Sequence, residues 1–291
     1  MGVESGAEVK RLAASLLAAF AFGCAHGGEP DIATLASNSD QVIWDAGQKA
    51  AEHKNWASAR QAFKRIIDGF PQSEYGPAAR LALGDSHFRE GGNANYILAI
   101  SEYREFLTLY PSHPRSDYAQ FQVAEAFFKQ RNGPDRDQTP TGKALEEYQR
   151  ILDLYPSSPY VETARERVVA CRQSLARSEF LTGFFYQRTR QACRSAIGRY
   201  ERVLSEYPDY QQVDEVLFRL AQCLAATSRC AEARPRLAQL IEGYSASAFA
   251  GDARALDARI LRGDLPCRTP APPAASPSPT PSSPPSEPGD R

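Results

Sequence analysis

A twelve-residue helical pattern occurs five times in this chain and constrains its fold more than any other feature. Each copy has an alanine, an aromatic or aliphatic residue four positions later, two further apolar residues, and an aromatic at position twelve. The copies are Ala59–Phe70, Ala99–Tyr110, Ala144–Tyr155, Ala196–Tyr207 and Ala233–Tyr244. Residues three and four apart share one face of an α-helix, so this spacing predicts five similar helices, each with one apolar face.

Proline follows the final aromatic in the first four copies, at Pro71, Pro111, Pro156 and Pro208, whereas Ser245 follows it in the fifth. Since proline cannot continue a helix, it marks the end of each. By subtraction of their first residues, the copies begin 40, 45, 52 and 37 residues apart. This spacing is typical of helix-pair repeats, of which the tetratricopeptide repeat (TPR) has about 34 residues.

Small residues in the preceding helices support the pairing. Gly47 lies twelve residues before Ala59, and Gly84 is the corresponding residue of the second unit. Glycine at such positions lets two helices approach closely. The predicted fold is therefore all-α, a superhelical solenoid of five TPR-like helix pairs over residues 40–262, with a capping helix at about 246–262. Its N-terminal repeats cover 40–131 and its C-terminal repeats 141–262. One long helix should span 159–187 and bend near Gly183.

The N-terminus has the pattern of a lipoprotein signal peptide. Lys10 and Arg11 precede a short apolar run, which ends in Ala21–Phe22–Gly23–Cys24. The run is too short to span a bilayer, which takes roughly 20 residues, and it is typical of a secretory signal. We expect residues 1–23 to be the signal peptide and Cys24 to be the lipidated residue. Residues 24–39 then form a flexible tether. The alternative is an ordinary signal peptide with an incidental cysteine.

The C-terminus has a different composition. From Pro266 the chain is almost entirely Pro, Ser, Ala and Thr, which predicts a disordered tail over 263–291. We therefore expect that deleting the residues after Pro266 leaves the thermal stability unchanged. A turn-rich loop at 131–140 should bond to itself, with Thr141 capping the next helix.

Five further cysteines would lie in an oxidising compartment if the chain is exported, and the sequence leaves their pairing open. Cys223 and Cys230 are the best candidates for a bond, whereas Cys171 and Cys193 are about as well explained as buried thiols. The fifth is Cys267.

No pattern of catalytic or metal-binding residues is present, so we expect a non-enzymatic protein without metal or cofactor. The four histidines lie outside HExxH and Cys/His zinc arrangements, and Gly-rich phosphate loops are absent. Glu146 and Glu147 are adjacent on a helix and point in different directions, so they cannot flank one bond. A net charge of −1 argues against a nucleic-acid partner.

A TPR array offers a groove for peptides or helices. The pattern predicts that the groove is lined by Trp44, Gln48, Tyr75, Leu81, Asp85, Phe88, Tyr118 and Phe121. For Leu81 and Phe121 a place in the inter-helix core is the stronger alternative, and for Trp44, Tyr75 and Phe88 the two interpretations are even. A basic stretch over 188–202 is interpreted as a solvated or partner-facing helix surface.

The segments between the repeats resemble those of the BamD family, the lipoproteins that assist assembly of outer-membrane β-barrels. The residues that carry the resemblance are Phe70–Tyr75, Tyr110–Pro114 with Asp117–Tyr118, Asp135–Asp137, Tyr155–Tyr160, and Glu179–Phe180 with Phe185–Tyr186.

The resemblance implies a lipid-anchored protein on the periplasmic face of the outer membrane. Its N-terminal repeats would receive unfolded outer-membrane protein through the C-terminal aromatic signal strand of that protein. Its C-terminal repeats would dock the last periplasmic POTRA domain of BamA, with Arg188, Arg194 and Arg199 in the docking half. The alternative is a TPR lipoprotein that scaffolds cell-envelope or division machinery.

Overall fold

The computed structural model describes residues 39–267, and over this range every regular element is an α-helix. The helices are α1 Asp40–Glu52, α2 Trp56–Gly69, α3 Gly76–Glu90, α4 Asn93–Leu109, α5 Ser116–Lys129, α6 Thr139–Leu154, α7 Val161–Arg188, α8 Cys193–Glu206, α9 Val213–Ala226, α10 Cys230–Gly243 and α11 Ala250–Leu261. The expected all-α class is confirmed. Five helix pairs, α1/α2 to α9/α10, are followed by α11 in the place of the capping helix.

The described residues fall into two compact units. The N-terminal unit comprises 39–131 and 143–166, and the C-terminal unit comprises 132–142 and 167–267. In the first unit, consecutive helices from α1 to α5 pack on each other, and in the second unit consecutive helices from α8 to α11 do the same.

The repeated pattern forms the core of each pair. The alanine, the residue four positions on and the first apolar residue after it are completely buried in all five copies. In the first copy these are Ala59, Phe63 and Ile66. The aromatic at position twelve ends the helix, and its N–H donates to the carbonyl four residues earlier, as Tyr110 does to Phe106 at 2.8 Å. Local sequence therefore sets both the buried face and the end of each second helix.

Close helix contact at small residues is also observed. A β-carbon on Gly47 would come within 2.7 Å of the Phe63 ring, and one on Gly84 within 2.8 Å of Tyr103. Gly183 has the same place against Tyr200, at 2.8 Å. The sequence pattern predicted one long helix that bends near Gly183. One helix, α7, does run through this position, and the close packing against α8 accounts for the glycine.

A serine in the turn after a pair binds back to the start of that pair. The Ser73 hydroxyl donates to Asp40 at 2.6 Å, and Ser158 donates to Asp117 at 2.7 Å. Ser247 repeats the bond with Asp214 at 2.6 Å. Each bond joins an exposed turn to the N-terminus of a helix, where a carboxylate also interacts favourably with the helix dipole.

The loop before α6 bonds to itself, as expected. The Gln138 amide donates to the carbonyl oxygens of Gly133 and Arg136. Thr141 does not have the capping role expected of it, because it lies inside the first turn of α6; in the loop before the helix, the Asp137 carboxylate accepts from the Thr139 N–H at 3.0 Å. The reason is that α6 begins two residues earlier than the pattern indicated.

Two disulfides lie in the C-terminal unit, Cys193–Cys223 and Cys230–Cys267, and Cys171 is a buried thiol. Cys223 and Cys230 are thus both oxidised but do not bond to each other. Cys223, at the end of α9, pairs with the start of α8, whereas Cys230 pairs with the segment that follows α11. The tail predicted to begin at 263 is therefore held to the C-terminal unit as far as Cys267. The predicted signal peptide, Cys24, most of the predicted tether and the rest of the predicted tail lie outside the described residues.

Candidate functional site

A cavity of about 400 Å³ opens in the N-terminal unit between α1, α2, α3 and the start of α5. Its apolar wall includes Trp44, Trp56 and Phe63, and its polar lining includes Gln48, Asp85, Arg89, Arg115 and Tyr118. An apolar concave surface with a few polar groups is the usual form of a binding site.

Helical spacing brings the lining residues together. Trp44 and Gln48 are four residues apart on α1, and Asp85 and Arg89 are four apart on α3. Side chains at this spacing lie on the same face. The Trp44 ring is held by Phe63 and Tyr75, with ring centroids 5.5 Å away in each case, and the Tyr75 ring is stacked on it at 20°.

Asp85 holds two tyrosines at the cavity. The hydroxyls of Tyr103 and Tyr118 each donate a 2.7 Å hydrogen bond to its Oδ1 atom. Burial, and secondly the negative charge of Asp85, raise the pKa of Tyr118 above its ordinary value. Tyr118 therefore stays a protonated donor at physiological pH, and the Asp85 carboxylate is already partly satisfied inside the protein.

Two arginines give the cavity a positive rim. The Arg115 guanidinium lies over the Tyr118 ring, 4.4 Å from its centroid, and both Arg89 and Arg115 are exposed. Among the described residues, no carboxylate lies within ion-pair distance of either arginine. An aromatic cavity with unpaired guanidinium groups suits a ligand that combines a ring with a carboxylate.

The eight predicted groove residues separate into two groups. Trp44, Gln48, Asp85 and Tyr118 line the cavity, and Tyr75 supports it from behind Trp44. The other three lie in the packing between helices. Leu81 is 1% exposed and has no surface to offer a ligand. Phe88 packs on Tyr96 with centroids 5.6 Å apart, and Phe121 stacks on Tyr160 at 4.5 Å.

Trp56, Arg89 and Arg115 are cavity residues that the sequence pattern did not indicate. Arg89 could have been found, because it lies one turn beyond Asp85 on the same face. Trp56 is the first residue of α2 after the Asn55 cap, and Arg115 precedes α5. No spacing rule connects these two to α1, and only the packing of the helices brings them to the cavity.

The predicted docking arginines differ in their surroundings. Arg188 and Arg194 are exposed, and within the described part of the chain neither has a carboxylate at ion-pair distance. Arg199 is half-buried and pairs with Glu179 at 3.0 Å, and Arg202 pairs with the same carboxylate at 3.1 Å. Arg199 therefore joins α7 to α8, which leaves Arg188 and Arg194 as the free cations of this group.

Within residues 39–267, no cluster of three or more His, Cys, Asp or Glu side chains could hold a metal ion. Over the same range, no helix combines the length and the apolarity needed to cross a membrane.

Paired helices with buried Ala and aromatic anchors define a TPR-type helical repeat protein. The chain belongs to the YfiO family, described as outer membrane lipoproteins, whose model matches residues 36–234.

Curated relatives agree with this assignment. The outer membrane protein assembly factor BamD of Caulobacter vibrioides is 29% identical over 262 residues, which cover 90% of this chain and 83% of the relative. The BamD of Vibrio cholerae is 26% identical over 208 residues, covering 68% of this chain and 81% of the relative. Among solved structures, the TPR2AB domain of yeast Sti1 matches 76% of this chain and 98% of its own, at 12% identity and a TM-score of 0.40.

Proposed function

We propose that this protein is the TPR lipoprotein of a machinery that assembles β-barrels in the outer membrane. Its N-terminal unit binds the C-terminal signal strand of an unfolded barrel protein. Its C-terminal unit docks the periplasmic POTRA domain of a BamA-like barrel. The observation that carries the proposal is the cavity formed by Trp44, Trp56 and Tyr118 together with the unpaired Arg89 and Arg115.

The chemistry of such a strand matches the cavity. An aromatic residue at the end of a chain presents a ring and a free carboxylate a few ångströms apart. The ring packs against Trp44 and Trp56, where burial of apolar area stabilises the complex. The carboxylate pairs with Arg89 or Arg115, because a guanidinium can donate two parallel hydrogen bonds to it. The residues before the end of the strand run outward over Gln48.

Tryptophan fluorescence tests the binding directly, because both tryptophans of the chain, Trp44 and Trp56, line the cavity. The full chain in detergent is titrated with a peptide that ends in phenylalanine. We expect a saturable change in emission. Blocking the peptide carboxylate as an amide, or replacing both arginines (Arg89→Gln with Arg115→Gln), should weaken binding at least about tenfold, since a hydrogen bond to a charged group contributes about 1.5–3 kcal/mol.

A matched control is Arg65→Gln, which removes an exposed arginine of the same unit that does not line the cavity. It should leave the titration unchanged. Equal binding of the free and amidated peptides, or equal loss in Arg65→Gln, would rule out carboxylate recognition at this site.

The docking half is tested by partner recovery from detergent-solubilised membranes. We expect the native chain to recover a large barrel with POTRA domains. Replacing Arg188 and Arg194 by Glu should reduce that recovery, because charge reversal at exposed positions repels an acidic partner surface. Arg65→Glu in the other unit is the control. Recovery of peptidoglycan-synthesis proteins instead would favour the scaffold alternative.

Membrane attachment in this proposal depends on lipid at Cys24. Several acyl chains, at about 0.8 kcal/mol per buried CH₂, give a durable anchor. The variant Cys24→Ala should fold normally but appear in the soluble fraction after export. Unchanged attachment would refute the anchor.

A further inference from the structure

The disulfides of the C-terminal unit lie together at one end of it. Successive antiparallel helices alternate in direction, and the cysteines lie at the start of α8, the end of α9, the start of α10 and beyond the end of α11. Cys193–Cys223 joins α8 to α9, and Cys230–Cys267 joins α10 to the segment that follows α11.

The two bonds differ in accessibility. Cys223 is completely buried in the core of the unit, and Cys193 is partly buried against that core. Cys230 is also buried, at 3% exposure, but its partner Cys267 is an exposed residue next to the exposed Pro266. Thiol–disulfide exchange requires a thiolate to reach one of the two sulfurs, so of these four residues Cys267 offers the open approach.

The position of Cys230 has two opposing effects on this reaction. Cys230 is the first residue of α10, where the unsatisfied N–H groups and the helix dipole favour a negative charge on the departing sulfur, whereas its burial in the core disfavours that charge. What distinguishes this bond from Cys193–Cys223 is therefore that Cys267 is an exposed residue, while both cysteines of the other bond are at least partly buried.

We propose that the Cys230–Cys267 disulfide exchanges with a dithiol partner. While it is intact, this disulfide holds the C-terminal segment, residues 263–267, to the unit, and we call it the latch. A thiolate of the partner attacks the Cys267 sulfur, the bond to Cys230 breaks, and Cys230 leaves as a thiolate that takes up a proton. The second thiol of the partner then attacks the mixed disulfide and releases Cys267 as a thiol. In total, two electrons and two protons pass to this protein, and the partner becomes a disulfide. The reverse reaction closes the latch.

Opening the latch has a local consequence. Between α11 and Cys267, the segment is held by the packing of Leu265 on the core and by backbone hydrogen bonds such as Asp264 N–H to Arg259, at 3.0 Å. Without the disulfide, one half-buried side chain is the main apolar contact of this segment. Reduction should therefore release residues 263–267, and with them the start of the Pro/Ser-rich region, while α8 and α9 stay joined by the buried bond.

Differential alkylation tests the proposal on the full chain in detergent. The protein is exposed to increasing dithiothreitol for short times, trapped with N-ethylmaleimide, and mapped by mass spectrometry at each cysteine from Cys171 to Cys267. We expect Cys230 and Cys267 to be labelled together, at least about tenfold faster than Cys193 and Cys223. Far-UV circular dichroism of the same samples should show unchanged helix content at the dose that opens the latch.

A second variant keeps the result interpretable. Cys193→Ala with Cys223→Ala removes the buried bond, and reduction of Cys230–Cys267 should proceed at the native rate in it. Equal labelling rates for the two pairs, faster labelling of Cys193 and Cys223, or loss of helix content before labelling would each overturn the proposal. None of these outcomes depends on barrel assembly, so the latch can fail while the proposed function stands.

Discussion

The ring of Tyr200 lies so close to Gly183 that a β-carbon on the glycine would come within 2.8 Å of the ring. Tyr200 is completely buried, and its hydroxyl donates to Gln187 at 2.7 Å, so the ring is fixed at both ends. Helices α7 and α8 therefore pack closely because position 183 has no side chain.

Gly183→Ala tests this contact. The added methyl group must displace a fixed ring, and overpacking of this kind costs about 1–3 kcal/mol. Gly198→Ala is the matched control in α8, because a β-carbon there meets nothing within 4 Å. It should be neutral or more stable by up to about 1 kcal/mol, since alanine is the better helix former. Urea unfolding followed by circular dichroism measures both, and equal stabilities would contradict the packing argument.

Glu147 is a buried carboxylate with partners from neighbouring helices. It accepts from the Gln120 amide at 2.7 Å and from Arg104 at 2.5 Å. Glu147→Ala leaves these donors unsatisfied, and we expect a loss of about 1–3 kcal/mol in the free energy of unfolding. Glu146→Ala, at the exposed neighbouring position, should change it by less than about 0.5 kcal/mol. A similar loss in the two variants would show that the buried network contributes little.

The His87 imidazole makes the stability of the N-terminal unit depend on pH. Burial, and to a smaller extent the charge of Arg60, lower its pKa below the ordinary value of 6.5, against the opposing effects of Asn95 and Glu90. The unfolded chain therefore binds the proton more readily than the folded one. The contribution to stability is fully present above pH 6.5 and declines as the pH falls from there through the lower, folded pKa.

The variant His87→Gln removes this dependence. Thermal melts of the native chain and the variant at about pH 7.5 and about pH 5 isolate it, because the other histidines are common to both. The native chain should lose more stability on acidification than the variant does. An equal loss would mean that His87 has no part in it.

Two truncations distinguish the effect of the tail on stability from the effect of the Cys230–Cys267 disulfide. Deleting the residues after Cys267 should leave the melting temperature unchanged, because Cys230–Cys267 is intact. Deleting the residues after Pro266 also removes Cys267, so the unchanged stability that composition alone predicts for this deletion is no longer expected, because loss of a disulfide costs about 2–4 kcal/mol. Differential scanning calorimetry of the oxidised proteins distinguishes them. Identical melting temperatures would show that the bond does not stabilise the unit.

The repeat pattern was sufficient to predict most of the fold. The five copies predicted the second helix of every pair, the residues at its buried face and its last residue. Such information is local, because helix periodicity and a proline that ends a helix both act within a few residues. Helix ends differed by a few residues where a cap was misassigned, as at Thr141.

The candidate site was predicted less completely. The sequence pattern indicated four of the cavity residues, because each lies on the first helix of a pair, either at a position counted from Gly47 or Gly84 or at the start of the helix. These four are Trp44, Gln48, Asp85 and Tyr118. The same counting also selected Leu81, Phe88 and Phe121, but these side chains pack between helices. Periodicity assigns a face to a residue, and which neighbour covers that face is a property of the assembled helices.

The amino-acid sequence by itself therefore determined that this protein consists of TPR-like helix pairs and to which family it belongs. Tertiary structure alone decided which cysteines pair, that Gly183 serves close packing, and that Arg89, Arg115 and Trp56 meet Trp44 at one cavity. The physical reason is separation along the chain. Contacts within a helix are fixed by spacing of three or four residues, whereas these contacts join positions that only the packing of several helices brings within reach.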